Sequence, residues 1–507
     1  MRRLFILCFL LASPWLASCD LGGGHHSPAS GSLVRGNGGE PGTLDPLLAD
    51  DIHAFNVLID MYEGLVAENA NGELIPGVAR RWDVSADGRT YIFHLRPDAR
   101  WSNGDPVMAQ DFVRSLDKAT APDTQAPYAF LFQGADMEVL AVSDDKLEIR
   151  LARRWNELPL ILSMPVAFPE HPSRDRTISN GAYSLVSRDP GGQILLQKNE
   201  HYWDAESVSV GSVAYMPTTD SVAEFNMYRS GELDITHNIP SEMVQRAIAQ
   251  YGNETRLAPS LALYYIAFDL QEPPFDNPLL REALSLAVDR EEITTLLGRG
   301  EQPAYSVVPP GVAGYAGASH EWRDATPDSR IERARKLYSE AGFTPDAPLR
   351  IRYLYDAGDV HERVALAMSA MWRDVLGVEV VLEKREWKYF LDSRQLRDNW
   401  DVMRFAWFGD YNSPRTFLDI FGSVSDQNLA GYASETYDDL LLQASRADAT
   451  DSFVTMQRAE EHLLADHPVI PVYFFVSKHM VKPHVLGFED NVTDRHPTRF
   501  LTIGDRP

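Results

Sequence analysis

The sequence predicts a mixed α/β fold, and three observations lead to this prediction. The chain has 507 residues, of which 44% are hydrophobic, a composition typical of globular proteins with large cores. Short strand patterns and amphipathic helix patterns alternate along it, without an internal repeat of fixed period. Residues 349–410 read as a β-α-β-α-β unit, which is typical of a parallel sheet. On length alone we expect about three domains.

The first eighteen residues read as an export signal. Arg2 and Arg3 precede an apolar run over residues 4–11, which Pro14 breaks too early for a permanent membrane span. The sequence Leu-Ala-Ser then leads into Cys19 and resembles a bacterial lipobox. We expect residues 1–18 to be removed and lipid chains on Cys19 to hold the protein at a membrane. The alternative is an ordinary signal peptide with an incidental cysteine.

Residues 19–31 follow as a flexible, glycine-rich tether. Because Cys8 lies inside the predicted signal, Cys19 is the only cysteine expected in the mature chain, which therefore has no internal disulfide. The net charge of −26 excludes a typical nucleic-acid-binding protein and gives little attraction to anionic lipid. Membrane contact is therefore expected to depend on the lipid at Cys19.

Two elements near the start of the mature chain have simple patterns. Residues 32–35 alternate as a strand, and residues 82–96 read as a hairpin that turns at Ala86-Asp87-Gly88. Residues 119–127 read as a polar loop.

The β-α-β-α-β unit follows from a change of hydrophobic period. Its first helix carries apolar residues at i, i+4, i+7, i+8 and i+11 from Val364, and Gly377 supplies a natural stop. In chain order the predicted elements are strand 349–355, this helix, strand 378–387, helix 388–397 and strand 400–408.

Aromatic and ionisable residues follow the strands of this unit, where parallel sheets bind ligands. They are Asp356, Asp359 and His361 after the first strand, Trp387 at the end of the second, and Trp407 and Asp410 at the end of the third. Each also has a structural explanation: Trp387 as core, His361 as a helix cap, and Asp410 as part of a turn. Together they favour a site.

Catalytic motifs are not found in the sequence. It has no Gly-x-Ser-x-Gly elbow, P-loop or His-Glu-x-x-His helix, and residues 36–41 miss the dinucleotide fingerprint. The tether pair His25-His26 lacks further metal ligands, and His462 and His467 do not share a helix face. We therefore expect a protein that is not an enzyme and has no metal or cofactor.

A series of short motifs, in order over nearly the whole mature chain, resembles the periplasmic solute-binding proteins of the oligopeptide and dipeptide class, family 5. The motifs are Glu40-Pro41, Leu44-Asp45-Pro46, Tyr62-Glu63-Gly64-Leu65, Gly72-Glu73-Leu74-Ile75-Pro76-Gly77, Phe93-His94-Leu95-Arg96, Trp101-Ser102-Asn103-Gly104, Asp111-Phe112-Val113, Asn180-Gly181-Ala182-Tyr183, Asn199-Glu200-His201-Tyr202-Trp203 and Tyr228-Arg229-Ser230-Gly231-Glu232-Leu233-Asp234.

The resemblance implies a two-lobed α/β fold of the periplasmic-binding-protein type (type II, cluster C) with three domains and a hinge. The implied boundaries are residues 32–61, 177–261 and 478–507 for a discontinuous domain I, 62–176 for domain II and 262–477 for domain III.

Residues 387–412 are similar to the oligopeptide-binding branch of this class. The similarity implies that Asp410 receives the N-terminal ammonium of a peptide and that positively charged groups such as Arg404 and His361 meet its carboxylate end. Further contacts are implied for Trp387 and Trp407, which would line side-chain pockets, and for Glu40, Tyr128 and Asn238 on the facing lobes.

The sequence departs from its relatives at three places. Phe408 and Ala262 occupy positions where some relatives carry a disulfide, and an apolar contact is expected instead. Residues 264–267 lack a common acidic residue, and His237 replaces a common aromatic residue. Peptide length or side-chain preference is therefore expected to differ.

The resemblance implies a lipoprotein that captures short peptides and delivers them to the permease and ATPase of an ABC transporter. We expect a monomer in the periplasm, and Asp20 favours the inner membrane as the site of its lipid anchor. The alternatives are a receptor of the same family for cell-wall peptides, dipeptides, nickel chelates or sugars, an envelope peptide hydrolase, and a peptide-binding sensor or chaperone.

Overall fold

The computed structural model describes residues 31–132, 135–312, 314–344, 347–396 and 400–506, although the side chains of residues 395 and 396 are not described. The predictions for the signal over 1–18, for Cys19, for His25-His26 and for most of the tether lie outside these residues. None of the helices in the described ranges combines the length and apolarity that crossing a membrane requires.

Strands and helices alternate throughout the described chain. The strands are β1 (Ser32–Gly36), β2 (Val66–Glu68), β3 (Leu74–Pro76), β4 (Ala79–Val84), β5 (Thr90–Leu95), β6 (Met137–Ser143), β7 (Lys146–Leu151), β8 (Tyr183–Arg188), β9 (Ile194–Lys198), β10 (Ser212–Met216), β11 (Thr255–Phe268), β12 (Gln302–Pro303), β13 (Arg350–Asp356), β14 (Glu379–Arg385), β15 (Val402–Phe408), β16 (Val469–Met480), β17 (Val485–Leu486) and β18 (Thr502–Ile503). The α-helices are α1 (Ile52–Met61), α2 (Ala109–Thr120), α3 (Leu158–Ile161), α4 (Ser221–Ser230), α5 (Val244–Tyr251), α6 (Pro278–Leu286), α7 (Arg290–Leu297), α8 (Pro327–Glu340), α9 (Asp359–Leu376), α10 (Trp387–Leu396), α11 (Arg415–Leu418), α12 (Glu435–Arg446) and α13 (Ala449–Asp466).

Three larger sheets organise these elements. The orders are β1-β10-β9-β8, β4-β5-β7-β6 and β12-β16-β11-β15-β13-β14. The first sheet uses segments assigned to domain I, the second lies within domain II, and the third lies mostly within domain III. The boundaries themselves remain a prediction.

The strand and hairpin predicted near the start are confirmed. Residues 32–35 fall within β1, and β4 pairs antiparallel with β5 across a turn in which Gly88 has a φ of 68°. The predicted loop over 119–127 is shorter than expected, because α2 continues to Thr120 and a 3-10 turn begins at Pro127.

The β-α-β-α-β unit is also confirmed. Strand β13 pairs in parallel with β14 and with β15. Helix α9 ends where Gly377 adopts a φ of 77°, a left-handed conformation that favours glycine. Trp372, at a predicted apolar position, is fully buried, and its Nε1 donates to the carbonyl oxygen of Leu284 at 2.9 Å.

One boundary in this unit differs from the prediction. Strand β14 ends at Arg385, where its pairing with β13 also ends, and Trp387 is the first residue of α10 rather than the last residue of a strand. Its side chain is 51% exposed.

The central sheet is buried on both faces. Along β11, Tyr264, Ile266 and Phe268 pack into one core, whereas Tyr265 and Ala267 pack into the core on the other face. This alternation is the two-residue period of a strand, and burial of both faces explains the nearly continuous apolar sequence.

Strands β11 and β16 are long and antiparallel, and both cross the predicted boundary between domains I and III. Their pairing is interrupted between Pro259 and Leu263, where the register shifts. Strands β11 and β16, with their irregular pairing, therefore connect the central sheet to the segments of the predicted domain I.

The C-terminal segment completes a core that begins near the N-terminus. Asp60 of α1 accepts a hydrogen bond from the backbone N–H of Thr498 at 2.7 Å, and Glu63 forms an ion pair with Arg499. Residues at opposite ends of the chain are therefore held together by buried polar contacts.

Candidate ligand-binding site

A cavity of about 510 Å³ is lined by residues from all three predicted domains. Strand β15 contributes Phe408 and leads to Gly409 and Asp410, which also line it. Lining residues from other segments are Ile52, Phe55, Tyr128, Met164, His237, Asn238, Ser260, Leu261, Ala262, Arg299, Phe475, Val476, Ser477, Lys478, Val492, Thr493, Asp494 and Arg495. The carboxyl end of β15, which the sequence predicted to lie at a ligand-binding edge, therefore faces this cavity.

Asp410 lines this cavity and also a neighbouring one of about 320 Å³. Burial raises the pKa of Asp410 to about 6, and the charge of Arg495 opposes this shift only in part. No ion pair within 4 Å joins this carboxylate to another side chain of the described residues. A partly buried carboxylate without a cationic partner is suited to bind a cation.

Trp407 lines the smaller cavity beside Asp410. Its indole Nε1 is buried and has no hydrogen-bond partner among the described residues. Arg153 and Arg154 line the same cavity, together with Arg415, which forms an ion pair of 3.0 Å with Asp419. This smaller cavity therefore combines an aromatic wall with several guanidinium groups.

Arg404 is buried on β15 and pairs with Asp356, the last residue of β13. Its guanidinium also lies 5.2 Å from the ring centre of Phe390 and 5.8 Å from that of Trp387. The ion pair and the aromatic contacts hold Arg404 within β15, beside the last residue of β13. Its contact with a peptide carboxylate stays a prediction.

His361 lies beside this ion pair. Its Nε2 is 3.8 Å from Asp356, and its ring stacks on Tyr264 with centroids 5.8 Å apart. Burial, followed by the charge of Arg404, lowers the pKa of His361 to about 4, although the charge of Asp356 opposes this shift. This low pKa favours the neutral imidazole in the protein without ligand, and the positive charge expected of His361 opposite a peptide carboxylate remains a prediction.

The other predicted residues divide into two groups. Tyr128 and Asn238 line the 510 Å³ cavity, and burial, followed by the charge of Asp410, raises the pKa of Tyr128. Trp387 and Glu40 line neither cavity. Glu40 instead forms an ion pair of 3.4 Å with Arg188 and accepts a hydrogen bond from the backbone N–H of Gly191 at 3.1 Å.

The sequence analysis did not identify several cationic residues of the cavity. Arg299 and Lys478 both approach Glu301, at 3.1 and 3.7 Å, and Arg495 is 2.8 Å from Glu68. They lie in segments without a recognisable motif, so the sequence offered no signal for them.

The predicted pairing of Ala262 with Phe408 is confirmed, because these residues face each other across β11 and β15. The Phe408 ring is 62% exposed and lies 5.1 Å from that of Phe475. These two positions, for which the resemblance implied a disulfide in some relatives, here include an exposed aromatic ring at the cavity wall.

Comparison with known proteins gives consistent results. The profile of the bacterial extracellular solute-binding proteins, family 5 Middle, matches residues 73–428. The chain is 35% identical to the periplasmic oligopeptide-binding protein OppA of Salmonella typhimurium over 95% of this chain and 94% of that protein. It is 32% identical to the periplasmic murein peptide-binding protein MppA of Escherichia coli over 90% of each chain.

Solved structures show that the fold is the two-lobed fold of these proteins. The unliganded open form of MppA superposes with a TM-score of 0.88, at 32% identity over 93% of this chain and 97% of that one. OppA of Haemophilus influenzae in complex with the peptide RPPGFSPFR gives 0.72, at 30% identity over 94% and 99%. The difference indicates that the lobes of this chain are arranged as in the open form.

Proposed function

Because the chain belongs to the bacterial extracellular solute-binding proteins of family 5, we propose that it captures short peptides between its lobes and delivers them to an ABC importer. The observation that carries the proposal is Asp410, a partly buried carboxylate on the cavity wall that has no described ion-pair partner. The relatives are named for oligopeptide and murein peptide binding, which supports this cargo.

The charges around the cavity suit a zwitterionic peptide. Asp410 would receive the N-terminal ammonium in a charge-assisted hydrogen bond, which is stronger than a neutral one. Arg404, which is held by Asp356 and is not among the lining residues of the 510 Å³ cavity, would contact the carboxylate end once a peptide is bound, and Arg299 and Lys478 add positive charge to the cavity wall. Both ends of the peptide would then be neutralised after they leave water.

The backbone of the peptide has a place to pair. Strand β15 pairs with β13 only at Val402 and Met403, whereas its pairing with β11 continues to Phe408. Residues 404–408 therefore have one edge that β13 does not cover. We propose that an extended peptide adds to this edge as a strand, which gives affinity through main-chain hydrogen bonds and tolerates many sequences.

The proposal describes a binding protein, and its relatives carry binding-protein names. A monomer at the periplasmic face of the inner membrane, anchored by lipid at Cys19, belongs to the same proposal. It is supported by the leader pattern over residues 1–19 and by the periplasmic location in the names of the relatives.

A more specific cargo is favoured by the smaller cavity. Arg153 and Arg154 line it next to Trp407 and Asp410. We propose that it accepts an acidic side chain near the N-terminus of the peptide, a feature consistent with cell-wall peptides. The test compares peptides that carry Asp or Glu at position 1, 2 or 3 with the same peptides carrying Asn or Gln there. The amide should weaken binding at only one of these three positions.

The test is calorimetry with tripeptides that carry either a free or an acetylated N-terminus. We expect Asp410→Asn to weaken binding of the free peptide by ~3–5 kcal/mol, because a buried ammonium would lose its counter-charge. Acetylation should cause a similar loss in the wild type and little further loss in the variant.

The matched control is Asp83→Asn, which removes an exposed carboxylate on β4, far from the cavity. Mass spectrometry of ligands released by denaturation identifies the natural cargo. Release of a sugar or a metal chelate, together with indifference to free peptides, would contradict the peptide assignment. Cleavage of a labelled peptide would indicate a hydrolase, and unimpaired peptide uptake without the protein would indicate a sensor or chaperone.

A further inference from the structure

Three ligating side chains from distant segments converge beside the larger cavity. His479 lies on β16, and Asp494 and His496 lie between β17 and β18. Their ligating atoms are all within 4.8 Å of one another. The Nε2 atoms of His479 and His496 are 2.7 and 3.1 Å from the same oxygen of Asp494. We propose that this His–Asp–His cluster is a binding site for a divalent transition-metal ion such as Zn²⁺ or Co²⁺.

The donor set fits this class of ion. Imidazole nitrogen and carboxylate oxygen bind zinc and cobalt at about 2.0–2.2 Å. Tetrahedral ligands at about 2.1 Å are separated from one another by about 3.4 Å, so the donor atoms would move apart by about 0.3–0.7 Å. The ion would replace the protons that Asp494 now shares with the two imidazoles, and these protons would leave to solvent.

Groups around the cluster orient its ligands. Nδ1 of His479 lies 2.9 Å from the carbonyl oxygen of Thr236, a contact that directs a proton to Nδ1. Nε2 can therefore bind a metal once the proton that it shares with Asp494 has left. Arg35 donates a hydrogen bond to the carbonyl oxygen of His496 at 2.8 Å and fixes the backbone there. The positive charge of Arg35 opposes the binding of a cation. Asp60 lies close enough to Arg35 to interact with its guanidinium and to offset that charge.

The cluster has a closed side and an open side. The side chains of His479 and His496 are 9% and 5% exposed, whereas that of Asp494 is 35% exposed and lines the 510 Å³ cavity. Three protein ligands with access on one side leave a coordination position for water. The sequence analysis expected no metal site, and His479 and Asp494, which lie 15 positions apart, form no local motif that would have indicated one.

The inference does not depend on the proposed cargo, because it concerns the protein without peptide. The experiment uses the mature chain, stripped of metal, in a His25→Ala/His26→Ala background that removes the histidine pair of the tether. Calorimetry with ZnCl₂ should show one ion per chain, and CoCl₂ should give the visible absorption of cobalt with nitrogen and oxygen ligands.

Two variants and one control locate the ion. Asp494→Asn and His496→Gln preserve size and should each weaken binding by at least about 10–100-fold, the loss caused by removing a group that only hydrogen-bonds to a metal ligand. His462→Gln should change nothing, because His462 lies on α13 and contacts Ser434 and Asp466.

Circular dichroism shows which variants fold, and either folded variant suffices for the comparison. Electron paramagnetic resonance of Cu²⁺ bound to the unaltered cluster gives an independent result. The nitrogen nuclei of two bound imidazoles split the copper signal. Absence of zinc and cobalt binding would overturn the proposal. So would unchanged affinity in a folded variant, or a copper spectrum without nitrogen splitting.

Discussion

Asp410 is held where its ionised form is less stable than in water. Burial raises its pKa from 3.8 to about 6. Above pH 6 the carboxylate is therefore ionised in both states, but it is buried in the folded chain and hydrated in the unfolded chain, which destabilises the folded state. Between pH 6 and pH 4 this penalty decreases as the carboxyl group is protonated in the folded state. A binding group is here maintained at the expense of stability.

Asp410→Asn is therefore expected to stabilise the protein without peptide by about 1–2 kcal/mol at pH 8, since Asp410 is only partly shielded from solvent. The gain should vanish only at about pH 3 and below, where Asp410 is largely protonated in both the folded and the unfolded state. Denaturant unfolding at the two pH values measures the difference. A variant that is less stable at pH 8 would contradict this account of Asp410.

Peptide binding should be linked to protons at the same residue. Below pH 6 an incoming ammonium has to displace a proton from Asp410, so we expect affinity to fall by about tenfold for each further pH unit. Calorimetry at pH 5 in buffers of different ionisation enthalpy should show the release of about one proton for each peptide bound. Asp410→Asn should lose this buffer dependence, and its persistence would assign the proton to another group.

Among individual site residues, those that follow a predicted strand could be identified from the sequence. Those that reach the cavity from other segments of the chain could not. Asp410 and Trp407 were predicted because parallel strands present their carboxyl ends to ligands. Arg495 lies beside Asp410 through tertiary folding alone, and Lys478 and Arg299 share one carboxylate although they lie far apart in the sequence. The neutral state of His361 also depends on burial, which the sequence does not show.

Elements with a strong hydrophobic period were predicted well. Helix α9 and the three parallel strands follow from changes between periods of 3.6 and 2. The second predicted strand was extended to Trp387, although β14 ends at Arg385 and Trp387 begins α10, because the end of a strand depends on where its partner stops and not on its own residues. The ends of elements are therefore less predictable than the elements themselves.

The pairing of β11 with β15 predicts a new covalent link. Residues directly opposite in antiparallel strands have Cα atoms about 4.5–5.5 Å apart, a distance that a disulfide spans. Ala262→Cys/Phe408→Cys, in a Cys19→Ser background, should therefore form a disulfide on oxidation and gain about 2–4 kcal/mol of stability. Thiol titration and denaturant unfolding measure both effects, with the reduced protein as control. Failure to oxidise would place the two residues out of register.

At the scale of the molecule, the arrangement of the lobes predicts closure. The lobes are arranged as in the unliganded open form of MppA. Peptide binding should bring them together, because contacts with both walls are complete only when the lobes meet. Small-angle X-ray scattering should show a smaller radius of gyration with saturating peptide. Asp410→Asn should show the same change only at a much higher peptide concentration, and an unchanged radius in the wild type would indicate binding to one lobe alone.

The two-lobed fold was predicted from ordered motifs, and composition alone gave only a globular α/β chain. The domain boundaries are harder to define from sequence, because β11 and β16 each pass from one predicted domain into the next without a break. A linker rich in glycine or proline would have marked a boundary, whereas paired strands do not.

The joining of the chain's two ends also sets an order of events during synthesis. Asp60 and Glu63 emerge from the ribosome more than four hundred residues before their partners Thr498 and Arg499. Until Thr498 and Arg499 appear, Asp60 and Glu63 lack these two contacts, although Tyr215, Tyr202 and Trp203 can already donate hydrogen bonds to them. The predicted domain I therefore lacks part of its final stability. A nascent chain of this design stays unfinished until Thr498 and Arg499 have been made, a property that suits any polypeptide that has to be threaded through a channel before it folds.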